Sequence, residues 1–227
     1  MRASLPSMPP WRSIVPADVA CVQLRGKPLP LCALLPEEES SLGLVAQVRR
    51  REFAAGRHCA RAALALLGIH GVALPIGPKR APVWPRGGVG SISHTRSFCA
   101  AAVGPDSVYA GIGLDVEARG RFTPKLWRQV LVDAEIACLD ELGTAERDAR
   151  ATALFCAREA FYKMQFPVTG AWVGFHDVQV HVGHDAFEVE LLVDVPRLGR
   201  RGKRFGGCLW WHDPDLVFAA MTLRAHG

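Results

Sequence analysis

No Cys-x-x-Cys pair occurs in this chain, and its cysteines number seven, an odd count. That pattern argues against a disulfide scaffold or a zinc knuckle and fits buried thiols in a reducing cytosol. No apolar run approaches the ~20 residues of a membrane span. The best candidate, Cys59–Leu67, is short and carries Arg61. Met1–Trp11 has no apolar run behind Arg2, so no secretory signal is expected. Internal repeats and low-complexity segments are missing, as are helix-turn-helix, zinc-finger and RNA-recognition signatures. The expectation is a cytoplasmic protein with neither membrane nor nucleic-acid partners.

What remains is ample for a core. At 227 residues, 49% hydrophobic and 22% charged, the chain suits one large domain or two of about 100 residues. Its net charge of +5 favours acidic or phosphorylated partners. Basic residues cluster at Arg49-Arg50-Arg51 and in the loop Arg197–Arg204.

The stretch Gly111-Ile112-Gly113-Leu114-Asp115-Val116-Glu117 organises the rest. At period 2 it sends Ile112, Leu114 and Val116 to a core face and Gly111, Gly113, Asp115 and Glu117 to the other. The glycines leave room there for something bulky. Two carboxylates ~4 Å apart at an effective dielectric of ~20 repel by roughly 4 kcal/mol. Such a pair shares a proton, recruits basic side chains, binds a cation, or lies solvated at a strand end.

Around this stretch the chain alternates pattern. Residues 1–18 read as an irregular lead-in, Val19–Leu24 as a strand, Gly26-Lys27-Pro28 as a turn, and Pro36–Glu39 as an acidic helix start. A helix is expected over Val45–Leu67, with Phe53, Ala60, Leu64 and Leu67 on one stripe. Arg49 and Arg57, eight apart, align on one side as a solvated basic face or a phosphate clamp. Pro75–Gly90, with Lys79, Arg80 and Trp84, reads as a loop that shapes a pocket wall. Gly90–His94 leads to a strand Phe98–Val103. The turn Gly104-Pro105-Asp106 then predicts an antiparallel hairpin with Val108–Val116, bringing His94 near the acids. A helix is predicted at Asp133 and a second over Ala151–Met164, where Glu159 and Lys163 are spaced i, i+4 as in a surface ion pair. Past Pro167, Trp172–Val182, Ala186–Val195 and Cys208–Leu223 predict an antiparallel meander, turning at Asp213-Pro214-Asp215. His176, His181 and His184 lack a ligand spacing.

Gly113-Leu114-Asp115-Val116-Glu117, followed some forty residues later by Arg158-Glu159-Ala160-Phe161-Tyr162-Lys163, resembles the two signatures of the 4′-phosphopantetheinyl transferases. Arg49–Arg61, Trp84-Pro85 and Ser93-His94 are similar to the enterobactin-synthetase-component-D branch of the surfactin-type class. The resemblance spans Arg49–Gly207. It departs at two positions, Arg158 for the usual Lys and Phe155 for a common Trp.

The resemblance implies an α+β fold of two similar halves in a pseudo-twofold arrangement, residues 1–107 and 108–227, with the active site in the cleft between them. It implies transfer of the phosphopantetheine arm of coenzyme A to a serine of an apo acyl or peptidyl carrier protein, with release of adenosine 3′,5′-bisphosphate. Asp115, Glu117 and Glu159 are then the ligands of Mg²⁺ (or Mn²⁺), and Glu159, Lys163 and His94 the catalytic set. Arg49, Arg57, Lys79, Ser93, His94, Arg158 and Lys163 become the coenzyme-binding residues. The chain is expected to work as a monomer serving fatty-acid, polyketide, non-ribosomal peptide or siderophore synthesis. The residues alone leave two other readings open: another metal-dependent phosphate hydrolase, and a non-catalytic binder of acidic partners.

Overall fold

The computed structural model describes residues 11–211 and 214–225. The first ten residues of the expected lead-in, most of the segment read for a secretory signal, and Asp213 of the expected turn lie outside them. The element order is α1 (Trp11–Ile14), β1 (Ala20–Arg25), α2 (Pro36–Leu42), α3 (Gln47–Leu66), β2 (Gly88–His94), β3 (Phe98–Pro105) and β4 (Tyr109–Ala118). There follow α4 (Pro124–Val130), α5 (Asp133–Asp140), α6 (Thr144–Thr169), β5 (Val178–Val182), β6 (Ala186–Leu191), β7 (Arg204–Trp210) and β8 (Leu216–Arg224). Among the described residues no helix is long and apolar enough to cross a membrane.

Two antiparallel sheets divide the chain, one ordered β1-β3-β2 and the other β4-β8-β7-β6-β5. A long helix covers each. The buried stripe of α3, with Cys59, Ala60, Ala63 and Leu64, packs with Ala101 and Val103 of β3. The stripe of α6, with Ala157, Ala160, Phe161 and Met164, packs with Val189, Val217 and Ala219. A third core lies between the sheets, where Ile112, Leu114 and Val116 of β4 meet Phe98, Ala100 and Phe218. The residues assigned to the inner face of β4 by alternation are therefore buried, and the fold is α+β with two helix-on-sheet halves. The halves differ in size, three strands against five.

The expected β3–β4 hairpin does not form. β3 is the central strand of its sheet, paired on both sides by β1 and β2, so it has no edge left for β4. β4 pairs instead with β8, matching Asp115 to Ala219 and Glu117 to Val217. Other elements shift their bounds. α6 extends beyond Ala151–Met164 at both ends; Pro167 sits in its last turn, and the helix ends at Gly170 with φ of +63°. Trp172–Asp177 is loop and a short 3₁₀ turn rather than strand, with Gly174 N–H donating to Asp177 Oδ2 at 2.7 Å. β6 stops at Leu191, short of Val195.

Candidate active site

The glycines of β4 decide where the acids sit. A Cβ on Gly113 would lie 1.8 Å from the carbonyl oxygen of Ala160, and one on Gly111 would lie 2.1 Å from that of Met164. The room on that face of β4 is thus filled by the backbone of α6 rather than left for a ligand. This corrects the expectation and explains the site, because α6 lies flat on β4 and carries Glu159 and Lys163 to the end where Asp115 and Glu117 emerge.

Lys163 Nζ lies 2.6 Å from Asp115 Oδ1 and donates to Leu114 O at 3.3 Å. The i, i+4 spacing had pointed it at Glu159; its ion-pair partner is Asp115. Burial works against the Lys163 ammonium, but the Asp115 and Glu159 carboxylates outweigh it and hold the pKa above the ordinary lysine value. Glu117 is pushed up to about 8, first by burial and then by the Asp115 charge. Burial, followed by Asp115, also raises Glu159. Asp115 is 3% exposed, and its Oδ2 is buried without a hydrogen-bond partner. An orphaned carboxylate oxygen beside two acids that resist ionising is a donor set suited to a hard divalent cation. Among the described residues no three His, Cys, Asp or Glu side chains are gathered tightly enough to hold one as they stand.

From the first half, Arg49 Nη1 lies 2.9 Å from His94 Nε2, so that ring nitrogen accepts and the hydrogen belongs on Nδ1. Nδ1 points toward Glu52, 3.8 Å away, and is buried without a closer partner. Burial, with help from Arg49 and Lys163, lowers His94 to about 4, so it is neutral at pH 7. Arg57 is buried: its Nε donates to Leu74 O at 2.5 Å and its guanidinium sits 4.2 Å from the Phe53 ring centre. Burial lowers it to about 10, leaving it charged. Ser93 Oγ donates to Asp115 Oδ1 at 2.8 Å and accepts from Val116 N–H at 3.1 Å.

Two hollows open on either side of this group. One of about 230 Å³ is lined by Lys79, Arg80, Trp84, Glu159, Tyr162 and Lys163. The other, about 310 Å³, is lined by His94, Glu117, Arg121, Leu126 and Phe155 among others. Lys79 stands on an exposed turn with φ of +52° at the rim of the first. The structure therefore gathers Asp115, Glu117, Glu159, Lys163, His94, Arg49 and Ser93, with Lys79 across the hollow.

Arg158 is not part of that group. It is 2% exposed, and its Nη2 donates to both oxygens of Glu135, at 2.8 and 2.6 Å, and to Val178 O. Its Nε donates to Phe175 O. Glu135 in turn accepts from Val180 N–H at 2.6 Å. β5 is a sheet edge, so this pair caps the edge backbone that would otherwise be unpaired. The expected coenzyme contact from Arg158 is corrected on that ground, and the planar fork of Arg suits the task better than Lys would. Phe155, the other departure, stacks on Phe122 with ring centres 4.9 Å apart.

Sequence reasoning missed Glu52 and Glu38. Glu38 is fully buried, accepts from Leu35 and Leu74 N–H at 3.0 and 3.1 Å, and pairs with Arg61. It ties α2 and α3 to the loop that leads to Lys79. The only sequence signal was its place among the acids Glu37–Glu39, which read as an acidic helix start.

The family model for the 4′-phosphopantetheinyl transferase N-terminal domain matches residues 37–104, and that for the 4′-phosphopantetheinyl transferase superfamily matches residues 111–197. The chain is 38% identical to the 4′-phosphopantetheinyl transferase Npt of Nocardia iowensis over 178 residues, covering 78% of this chain and 77% of that one. It is 34% identical to the transferase Svp of Streptomyces mobaraensis, over 86% of this chain and 81% of that one. With the transferase PptT of Mycobacterium tuberculosis it shares 35% identity over 93% and 96% of the two chains. The chain belongs to the 4′-phosphopantetheinyl transferase family and is an enzyme of that kind.

Proposed function

We propose that this enzyme, of the surfactin-type class, moves the phosphopantetheine arm of coenzyme A to a serine of apo acyl or peptidyl carrier proteins and releases adenosine 3′,5′-bisphosphate. The observation that carries the reading is the meeting of Asp115, Glu117, Glu159 and Lys163 at one end of β4, beside the first-half cations. In the reaction the carrier serine oxygen forms a bond to the phosphorus that bears the pantetheine arm, and the bond from that phosphorus to the leaving adenylate oxygen breaks. Transfers of this type depend on positioning and charge neutralisation. Glu159, raised in pKa by burial, suits acceptance of the serine proton. Lys163, held charged, neutralises the pyrophosphate and the leaving phosphate. Arg49, Arg57 and Lys79 supply positive charge for the 3′-phosphate of the coenzyme, with Arg57 acting from within the core. His94, neutral and hydrogen-bonded to Arg49 through Nε2, completes the first-half side of the site.

Asp115, Glu117 and Glu159 would hold Mg²⁺, which supplies further charge neutralisation at the pyrophosphate and relieves the repulsion among the acids. The proposed boundary near Ser107 agrees with the sheets, whose strands fall at 20–105 and 109–224. We take the monomer as sufficient, since every proposed site residue comes from one chain. The test is chromatographic detection of adenosine 3′,5′-bisphosphate from coenzyme A, with and without an apo carrier. Release that requires the carrier and matches holo-carrier formed is expected; equal release without it identifies a hydrolase and overturns the reading.

A further inference from the structure

β2 and β4 belong to different sheets yet lie side by side, and the seam between them is where the two halves of the molecule meet. Three hydrogen bonds crossing it run through two serine hydroxyls. Ser91 Oγ donates to Leu114 O at 3.2 Å, Ser93 Oγ donates to Asp115 Oδ1 at 2.8 Å, and Val116 N–H donates to Ser93 Oγ at 3.1 Å. Both serines are buried. We propose that Ser93 is a positioning residue: its hydroxyl, delivered from the first half, fixes the Asp115 carboxylate so that Oδ2 is the oxygen presented to a divalent cation.

An aspartate carboxylate turns over a broad, shallow torsion, so its two oxygens exchange unless something holds them. Here Oδ1 is taken twice, by Ser93 and by Lys163, while Oδ2 has no partner. The Ser93 hydroxyl cannot swing away freely. Its oxygen already accepts from Val116 N–H, one residue past the acid it holds, and its single hydrogen therefore goes to Asp115. That hydrogen is engaged by the acid in this arrangement, although the sequence resemblance placed Ser93 among the coenzyme-binding residues. The orientation of a metal-ligating acid in one half is thus set by a strand of the other. Ser91 provides an internal control, since it crosses the same seam and bonds a backbone carbonyl instead of the acid.

The proposal rests on the reading of Asp115 as a divalent-cation ligand. The test is Mn²⁺ binding by titration calorimetry on the full chain, without substrates, for the parent and for Ser93→Ala, Ser93→Thr, Ser91→Ala and Asp115→Ala. Outer-sphere partners of metal ligands are worth roughly 10–100-fold in affinity. Ser93→Ala is expected to weaken Mn²⁺ binding about tenfold, at the low end of that range because Lys163 remains. Ser93→Thr, which keeps the hydroxyl, restores most of it, and Ser91→Ala leaves the affinity close to the parent value although it too loses a seam hydrogen bond. If Ser93→Ala does not fold, Ser93→Cys keeps the size with a weaker donor and must show a loss in the same direction. Parent-like Mn²⁺ affinity in the Ser93 variants with loss in Asp115→Ala overturns the positioning role and leaves the metal reading intact. Equal weakening by Ser91→Ala also overturns it, as a general loosening of the seam. Unchanged affinity in Asp115→Ala removes the metal reading itself.

Discussion

Adding one methyl group at Gly113 tests the packing on which the whole site depends. Its Cβ would start 1.8 Å from Ala160 O, 2.7 Å from Ala160 C and 3.0 Å from Met164 Cβ. Opening the first distance to 3.0 Å, the shortest that real Cβ atoms show, requires at least 3.0 − 1.8 = 1.2 Å of separation between β4 and α6. The obstacle is helix backbone, which cannot rotate aside as a side chain would. Overpacking costs about 1–3 kcal/mol and sometimes more, and a backbone clash belongs at the upper end. Catalysis should suffer further, because Glu159 and Lys163 ride on the displaced helix while Asp115 stays on the strand; a ~1 Å misplacement costs on the order of 100-fold in rate. Urea unfolding and single-turnover transfer to an apo carrier read the two effects separately. Gly206→Ala on β7 is the comparison, since a Cβ there meets nothing within 4 Å. If Gly113→Ala proves as stable and as fast as Gly206→Ala, the close approach of α6 to β4 is not what assembles the site.

Further outcomes are expected. Arg158→Met leaves Glu135 buried without its cation and should cost about 3–5 kcal/mol of stability, while the folded fraction keeps its KM for coenzyme A; a large rise in KM would return Arg158 to the coenzyme site. In EDTA-treated protein, Glu117 holds its proton up to about pH 8, against an ordinary value of 4.5. Its stabilising contribution is therefore full below pH 4.5 and is lost as pH rises to about 8. His94 works oppositely, its contribution being present above pH 6.5 and lost as pH falls toward 4. Between pH 6.5 and 8 the His94 effect is over while Glu117 still accounts for a loss on the order of 2 kcal/mol. Denaturant titrations should show a steeper loss over that range in the parent than in Glu117→Gln. The net charge of +5 predicts that added salt raises the KM for an acidic carrier more than it lowers kcat; equal effects on both would exclude electrostatic steering.

Local pattern carried the elements well and their partners poorly. The alternation in β4 assigned Ile112, Leu114 and Val116 to a core and Asp115 and Glu117 to the opposite face, and both are where period 2 puts them. The stripe of α6 was legible for the same reason. What period cannot carry is which backbone comes close to which. Gly111 and Gly113 read as room for a ligand because a glycine in a sequence is silent about what fills its space, and here a helix does. The turn falls at residues 106–108, just past the Gly104-Pro105 that ends β3, but a turn alone does not tell a hairpin from a crossing between sheets, and β3 already had two neighbours. Arg158 misled through its place in a motif: on α6 it points toward the β5 edge and Glu135, while Glu159 and Lys163 line the hollow beside β4. The serine hydroxyls of β2 join sheets formed far apart in sequence; the sequence marks Ser93 as part of Ser93-His94 but not for its bond to Asp115, and does not mark Ser91 at all.

The most direct measurement is the intact mass of an apo acyl or peptidyl carrier protein incubated with this enzyme, coenzyme A and Mg²⁺, beside parallel samples containing EDTA or the Glu159→Gln variant. A gain of one phosphopantetheine arm with the parent, absent in both parallels, is the expected result. No gain across several different carriers, or a full gain with EDTA and with Glu159→Gln, would contradict the central claim that the acids gathered by β4 and α6 carry out the transfer.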